Sequence, residues 1–160
     1  MINDLTKVGI IGGSGFTGEE LLRFLSNHPK TEVIAISSRT LLGQSTNQIV
    51  EGSDLIFIEP DDEIFYDCEV VFFATPHGIS MNLVNLFINK NIKVIDLSAD
   101  FRIKDIGIWE EWYNIPHSQE ELLSESVYGL TELNSSKIES ARLVAVPGCY
   151  PTASLLAILP

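Results

Sequence analysis

The chain has 160 residues, of which 45% are hydrophobic and 20% charged, a composition typical of a soluble globular protein with one domain. Its 22 acidic residues outnumber its 10 basic residues and give a net charge of -12, which disfavours nucleic acid or an anionic membrane as a partner. No apolar run reaches the roughly 20 residues of a membrane span, and the N-terminus lacks a secretory signal, so we expect a cytoplasmic protein.

Apolar segments of strand length alternate with segments of helix length along the chain. The predicted strands are 7–11, 33–36, 55–58, 70–74, 94–97 and 143–146, the predicted helices are 19–27 and 79–89, and 108–123 is predicted to be partly helical. The strands are continuously apolar, which predicts a sheet that is covered on both faces. We therefore predict an α/β fold with a doubly wound, mostly parallel, Rossmann-like sheet, with ligands at the carboxyl ends of its strands.

A glycine-rich segment, GIIGGSGFTGEEL, runs from the end of the first predicted strand into the start of the first predicted helix. Gly9, Gly12, Gly15 and Gly18 are each three positions apart. The last three permit a sharp turn, a close approach of the backbone to a pyrophosphate and a helix N-terminus aimed at that group. The residues that we predict to bind a dinucleotide here are Gly12, Ser14, Gly15, Phe16, Thr17 and Gly18. The alternative is a glycine-rich turn between a strand and a helix that binds no ligand.

The end of the second predicted strand indicates which dinucleotide fits. An NAD site would have an acidic residue there to bind the ribose hydroxyls, whereas this chain has Ser37, Ser38 and Arg39. Hydroxyls and a guanidinium suit a 2′-phosphate, so we predict NADP as the cofactor and place Ser38 and Arg39 among the residues that bind it. The alternative is that Arg39 is an ordinary surface residue of a loop.

The loop after the strand 70–74 contains the rigid turn Thr75-Pro76-His77-Gly78. This turn is predicted to lie on the nicotinamide side of the cofactor, with Pro76 among the binding residues. For His77 we favour a positioning or capping role over a catalytic one.

The loop after the strand 94–97, within DLSADFRI, carries Arg102. A guanidinium binds phosphate or carboxylate through two parallel hydrogen bonds, so Arg102 is the candidate for binding an anionic group of the substrate. A structural pair with Asp100 or Asp105 is the alternative. We predict no metal site, because His117 has no second histidine or cysteine at ligand spacing.

Cys149 follows the last predicted strand and precedes an apolar helical segment. A thiol at a helix N-terminus lies at the positive end of the helix dipole, which favours the reactive thiolate. A thiolate beside a nicotinamide indicates covalent catalysis through a thioester, as in an aldehyde dehydrogenase or an acyl phosphate reductase. Cys68, at a strand entrance on the opposite edge of the sheet, is predicted to be structural.

These motifs together resemble, over essentially the whole chain, the N-acetyl-gamma-glutamyl-phosphate reductases of arginine biosynthesis, a family of the semialdehyde dehydrogenase superfamily. The segments GIIGGSGFTGEELLRFL, ATPHGIS, VIDLSADFRI, VYGLTELN and PGCYPTA stand in the order and spacing of that family. The resemblance implies that N-acetyl-L-glutamyl 5-phosphate is reduced by NADPH to N-acetyl-L-glutamate 5-semialdehyde with release of phosphate, and that Cys149 is the nucleophile. One departure is Val146, where the family usually has asparagine.

Members of that family carry a second, α+β catalytic domain, which holds an acid-base histidine and the contacts between subunits. The resemblance therefore implies that 1–148 form the NADP-binding domain, and that 149–160 begin the cysteine helix leading into a catalytic domain absent from these 160 residues. It also implies a homo-oligomer, and an isolated fragment without turnover. Two alternatives remain open: an aspartate- or aminoadipate-semialdehyde dehydrogenase of the same superfamily, and a non-catalytic NADP-binding module.

Overall fold

A computed structural model describes residues 5–159 and contains a six-stranded sheet with six α-helices. The strands are β1 (Thr6–Ile11), β2 (Thr31–Ser37), β3 (Val70–Phe73), β4 (Lys93–Asp96), β5 (Val127–Tyr128) and β6 (Leu143–Ala145). The helices are α1 (Phe16–Ser26), α2 (Ser80–Ile88), α3 (Ile106–Tyr113), α4 (Glu120–Glu125), α5 (Thr131–Ser140) and α6 (Cys149–Ile158). Two short 3-10 helices, Thr46–Gln48 and Glu63–Asp67, lie between β2 and β3.

All neighbouring strands are parallel, in the order β2-β1-β3-β4-β6-β5. The chain passes from β1 to β2 on one side and then returns to place β3 on the other side of β1. The direction of winding therefore reverses between β1 and β3, which opens a crevice at the carboxyl ends of these strands. The prediction of a doubly wound parallel α/β sheet is confirmed.

Buried side chains cover both faces of the sheet. Ile10 packs in a cluster with Leu22 of α1 and with Phe57, whereas Ile11 belongs to a separate cluster with Val84 of α2. Successive residues of a strand point to opposite faces, so α1 and α2 lie on opposite sides of β1. This arrangement explains why the strands are continuously apolar.

The predicted strand 55–58 is wrong. Ile56 and Ile58 each form only an isolated bridge, with Ser45 and Ser37 respectively. Phe57 is fully buried against the α1 face of the sheet. The apolar run therefore reflects a connecting segment whose side chains fill the core, and periodicity cannot distinguish such a segment from a short strand.

Among the strands and α-helices, β5 and α5 have no counterpart in the predicted elements. β5 has only two residues, too few to produce a period in the sequence. α5 buries none of its residues and so carries no apolar stripe. Within residues 5–159, no helix combines the length and the apolar character that crossing a membrane requires.

Candidate functional site

A cavity of about 430 Å³ lies at the carboxyl ends of β1, β2 and β3, in the crevice where the winding reverses. Its polar lining comes from the loop after β1 and from the end of β2 and the loop that follows it. Its apolar lining comes mainly from the turn after β3 and from α2. The side chains that line it include Ser14, Ser37, Ser38, Arg39 and Thr40 on the polar side, and Ala74, Pro76, Ile79 and Leu83 on the apolar side. Six of the residues predicted to bind the cofactor therefore line one cavity: Gly12, Ser14, Gly15, Ser38, Arg39 and Pro76.

Two glycines of the first loop are required by the packing of the protein itself. Gly12 has a φ of +87°, and a Cβ there would lie 2.5 Å from the carbonyl oxygen of Ala74. A Cβ on Gly18 would lie 2.4 Å from the carbonyl oxygen of Gly12, so α1 packs directly on the loop. These contacts explain the turn and the close approach between the helix and β1.

Gly15 differs from both, because the protein leaves room for a side chain there. A Cβ on Gly15 would meet only the carbonyl oxygen of Gly12, at 3.8 Å. Gly15 is also the N-cap of α1 and gives the helix no side-chain cap, so the first N–H groups of the helix lack a side-chain acceptor. Free space beside uncapped N–H groups is what a phosphate group needs at a helix N-terminus.

Phe16 and Thr17 take up different positions from the residues that line the cavity. Both side chains are exposed, Phe16 to 83%, and neither lines the cavity. Their backbone N–H groups belong to the uncapped first turn of α1. Any contribution of these two residues to anion binding therefore comes from the backbone.

Three hydroxyls form a cluster between the loops after β1 and β2. Ser14 Oγ lies 2.6 Å from Ser38 Oγ and 3.3 Å from Thr40 Oγ1, and the last two atoms are 3.1 Å apart. Arg39 is exposed at the rim and forms no salt bridge within residues 5–159. Sequence reasoning missed Thr40, although it lies next to Arg39 in the same polar run.

Thr75 lines the apolar side of the cavity and carries an unpaired hydroxyl. Its Oγ1 is the single buried side-chain polar atom without a hydrogen-bond partner in the described part of the chain. A buried hydroxyl without a partner costs about 1–3 kcal/mol, so such atoms are uncommon in folded proteins.

The cysteines occupy contrasting environments. Cys149 is exposed and is the first residue of α6, which confirms that it lies at a helix start. Gly148 is the N-cap of α6, and its carbonyl accepts hydrogen bonds from the backbone N–H and hydroxyl of Thr152. Cys68 is buried, and this burial, with a smaller effect of the Asp67 charge, raises its pKa to about 12. Cys68 is therefore an unreactive thiol in the folded protein.

Arg102 joins the loops after β4 and β6. Its Nε donates to the carbonyl oxygen of Val146 and its Nη2 to that of Leu97, each at 2.7 Å. Nη1 donates to no group within residues 5–159 and lies 3.1 Å from where a Cβ on Gly148 would stand. No pair with Asp100 or Asp105 occurs in this part of the chain, so that alternative is wrong.

Asp96 ends β4 as a fully buried carboxyl group. It accepts hydrogen bonds from the backbone N–H and the hydroxyl of Ser98, and its backbone oxygen accepts from the N–H of Val146. Burial is the main cause that raises the pKa of Asp96 to about 7. Val146 thus contributes two backbone hydrogen bonds that connect the cysteine loop to β4 and Arg102.

The histidines that sequence reasoning considered make local contacts. His77 packs against the ring of Tyr113 with 5.2 Å between ring centroids, and it caps no helix. His117 is buried, with Nε2 2.8 Å from the carbonyl oxygen of Asp100 and Nδ1 accepting from the N–H of Gln119. Among residues 5–159, no three His, Cys, Asp or Glu side chains converge as a metal site would require.

Several solved structures share this fold. Aspartate semialdehyde dehydrogenase II from Vibrio cholerae, solved in complex with ASA, superposes with a TM-score of 0.73 at 18% identity, over 96% of this chain and 45% of that one. Aspartate semialdehyde dehydrogenase with NADP from Candida albicans has a TM-score of 0.65 at 16% identity, over 96% of this chain and 45% of the other. At these identities the likeness establishes the fold.

Curated relatives are much more similar in sequence. Two of them are N-acetyl-gamma-glutamyl-phosphate reductases. The one from Ruthia magnifica subsp. Calyptogena magnifica has 52% sequence identity and the one from Nitrosococcus oceani 49%, in alignments that cover 98% of this chain. The chain spans about half of their length, 47% in both cases. A family model described as semialdehyde dehydrogenase, NAD binding domain, matches residues 7–141. The chain therefore belongs to the family of semialdehyde dehydrogenase NAD-binding domains.

Proposed function

We propose that this chain binds NADP in the cavity at the ends of β1, β2 and β3, and that it is the cofactor-binding part of a cytoplasmic N-acetyl-gamma-glutamyl-phosphate reductase. The observation that carries the proposal is the composition of the cavity. It combines space at Gly15 beside an uncapped helix, a cluster of three hydroxyls next to Arg39, and an apolar wall. The residues present therefore fit a phosphorylated dinucleotide.

The polar side of the cavity favours the phosphorylated form of the cofactor. No aspartate or glutamate is among the residues that line it, so no carboxylate would repel a 2′-phosphate or bind a free ribose diol. The hydroxyls of Ser14, Ser38 and Thr40 can donate hydrogen bonds to phosphate oxygens, and Arg39 supplies a positive charge. Among the relatives by fold, the aspartate semialdehyde dehydrogenase from Candida albicans was solved with NADP.

The parts of the cavity suit different parts of the cofactor. The pyrophosphate would lie at Gly12, Gly15 and the first turn of α1, where the helix has no side-chain cap and the space at Gly15 is open. The nicotinamide would lie against the apolar wall that includes Pro76. When bound, the dinucleotide supplies a hydride.

Cys149 would act as the nucleophile. Its thiolate attacks the acyl carbon of N-acetyl-L-glutamyl 5-phosphate, the bond from that carbon to the phosphate oxygen breaks, and a thioester on Cys149 remains as phosphate leaves. Cys149 would hold the thioester while its carbonyl is reduced, and its sulfur would remain bonded to that carbon in the hemithioacetal. Its carbon–sulfur bond then breaks, which releases the aldehyde and restores the thiolate, with a proton consumed overall.

Arg102 is proposed to bind an anionic group of the substrate. Two of its nitrogens are fixed by backbone carbonyls, which leaves Nη1 beside Gly148 as the donor directed toward a ligand near Cys149. A guanidinium that is held in place before a ligand arrives loses little further entropy on binding a phosphate or carboxylate.

The domain organisation is also part of the proposal. We assign the cofactor-binding domain to 1–148 and the start of the cysteine helix to 149–160, in a homo-oligomeric enzyme. Because the chain spans about half the length of its curated relatives, we expect the 160 residues alone to bind NADP without reductase turnover. Sustained reduction of acyl phosphate by these 160 residues would contradict this assignment.

A binding experiment tests the choice of cofactor. Calorimetry with NADPH and NADH is expected to show stronger binding of NADPH, and Arg39→Ala is expected to weaken NADPH binding at least tenfold while leaving NADH unchanged. Arg23→Ala, on the exposed face of α1, is the matched control. Equal affinities for the two dinucleotides that do not respond to Arg39→Ala would overturn the NADP proposal.

A labelling experiment tests the choice of substrate. Intact-protein mass spectrometry after incubation with N-acetylglutamyl phosphate is expected to show an acyl group on Cys149, absent in Cys149→Ser and slower with aspartyl phosphate. Preferential labelling by aspartyl phosphate would instead favour an aspartate-semialdehyde dehydrogenase.

A further inference from the structure

The carboxylate of Asp100 is fully buried, and no salt bridge within residues 5–159 involves it. It accepts three hydrogen bonds instead. Oδ1 accepts from the N–H of Gly78 at 2.6 Å, and Oδ2 accepts from the hydroxyl of Ser80 at 2.9 Å and the N–H of Met81 at 3.0 Å. A buried carboxylate is costly unless its oxygens are satisfied in this way.

All three donors belong to the turn between β3 and α2 or to the first residues of α2. The helix has no side-chain cap of its own, because Ile79 is its N-cap. Asp100, about twenty positions further along the chain, therefore caps α2 from the loop after β4. A negative charge at this end of α2 also interacts favourably with the helix dipole.

The capped turn forms the apolar wall of the cofactor cavity. Thr75, Pro76 and Ile79 all line the cavity, and Gly78, between Pro76 and Ile79, turns the chain with a φ of +82°. Few other backbone hydrogen bonds hold the turn 75–79. The N–H of Ala74, just before the turn, donates to the carbonyl of Ile11, and this is the last hydrogen bond that joins the chain here to β1. The position of the wall therefore depends on Asp100.

Asp100 is itself fixed from its other side. Its backbone N–H donates to Ser98 Oγ, and its carbonyl oxygen lies 2.8 Å from Nε2 of the buried His117. Two positions further on, Arg102 donates to the carbonyl of Val146, in the loop that leads to Cys149. One short loop thus holds the cavity wall at one end and the cysteine loop at the other.

We infer that Asp100 is a positioning residue that clamps the wall of the dinucleotide cavity in place relative to the cysteine loop. The inference rests on the proposed function in taking NADPH as the ligand of the cavity. This role differs from that of an ion-pair partner of Arg102 and from that of a solvated surface carboxylate. Asp100 acts on the cofactor through the backbone of the turn and touches no reacting atom.

The test uses the 160-residue chain and the variant Asp100→Asn, which keeps the shape of the side chain but removes its charge and one acceptor oxygen. Asp105→Asn is the matched control, because Asp105 caps the neighbouring helix α3 through the N–H of Ile108 and does not line the cavity. Circular dichroism melts establish the temperature at which all proteins are folded. There we expect Asp100→Asn to weaken NADPH binding at least tenfold and Asp105→Asn to leave it within twofold.

Hydrogen exchange provides a readout that does not need the cofactor. In Asp100→Asn the amides of Gly78 and Met81 are expected to exchange at least tenfold faster than in the wild type, with little change in β1. If the exchange at these two amides does not change, the clamp is refuted whether or not NADPH binds. If these amides exchange faster in Asp100→Asn but the wild-type chain binds no NADPH, the clamp is supported and the proposed function is overturned.

If Asp100→Asn does not fold, Ser80→Ala decides. This variant removes one of the three donors and leaves both backbone donors in place, so we expect roughly threefold weaker NADPH binding and faster exchange at Met81. The inference would be overturned if folded Ser80→Ala showed unchanged NADPH affinity and unchanged hydrogen exchange. It would also be overturned if folded Asp100→Asn bound NADPH with an affinity within twofold of that of Asp105→Asn.

Discussion

The carbonyl oxygen of Gly12 occupies the space where a side chain on Gly18 would begin, with 2.4 Å between that oxygen and an added Cβ. The space at Gly15, three residues earlier, is open. The packing of the protein therefore requires a glycine at position 18 but not at position 15.

This difference predicts opposite effects of the same substitution. Gly18→Ala is expected to lower the free energy of unfolding by about 2 kcal/mol or more, because the backbone must shift to relieve the contact. Gly15→Ala is expected to change stability by less than about 1 kcal/mol and to weaken NADPH binding at least tenfold. Urea unfolding and calorimetry measure the two quantities. A Gly15→Ala protein that binds NADPH normally would contradict the pyrophosphate assignment.

Thr75→Val replaces the unpaired hydroxyl with a methyl group of similar size. The hydroxyl has no partner within the described residues. We therefore expect the free energy of unfolding of the variant to equal that of the wild type or to exceed it by up to about 1 kcal/mol. Thr46→Val is the contrasting control, since the buried Thr46 hydroxyl bonds to Ser53 and to the carbonyl of Leu55, and it should destabilise the protein. A destabilising Thr75→Val would show that the hydroxyl has a partner, such as a bound water.

The buried Asp96 carboxyl makes stability depend on pH in an unusual direction. Its pKa of about 7 in the folded protein lies above the 3.8 of an exposed aspartate, so the folded state holds a proton that the unfolded chain has lost between these values. The stabilising contribution is therefore complete below about pH 4 and is lost as the pH rises to about 7.

Asp96→Asn should remove this dependence. Between pH 5 and 8, the free energy of unfolding of the wild type is expected to fall by roughly 2–3 kcal/mol more than that of Asp96→Asn. Denaturant unfolding across this range measures the difference, and the exposed Asp105→Asn is the control. Parallel pH profiles for the wild type and Asp96→Asn would contradict the protonated state of Asp96.

The two thiols should react at very different rates with iodoacetamide. Cys149 is exposed, whereas Cys68 is buried and, with a pKa of about 12, is thiolate in only about one molecule in ten thousand at pH 8. We expect Cys149 to be alkylated at least a hundredfold faster in the folded chain, and the two rates to converge in urea. Peptide mass spectrometry after timed quenching separates the sites. Comparable rates in the folded chain would favour a module in which Cys149 has no catalytic role.

Features that depend on short stretches of sequence could be predicted. The apolar runs at β1 and β3 and the spacing of Gly12, Gly15 and Gly18 indicated a parallel sheet with a ligand at its carboxyl edge. The position of Cys149 at a helix start was visible in the proline and glycine that precede it. In each case a few neighbouring residues carry the signal.

Features that depend on contacts between distant residues could not be predicted. The run DLSAD shows that the loop after β4 is polar, but not that Asp100 bonds to Gly78 and caps α2. Likewise, the apolar run around Phe57 fills the core without joining the sheet as a strand. Both outcomes are decided by which segments the fold brings together.

The strand order also sets the distance between the N-terminus of α1 and Cys149. The helix start at Gly15 follows β1, Cys149 follows β6, and β3 and β4 lie between them. Three steps between neighbouring strands separate the two positions by about 14 Å across the sheet. A single small molecule that engages both must be elongated and must lie across the strands, so the width of the sheet selects ligands by their span as well as by their charge.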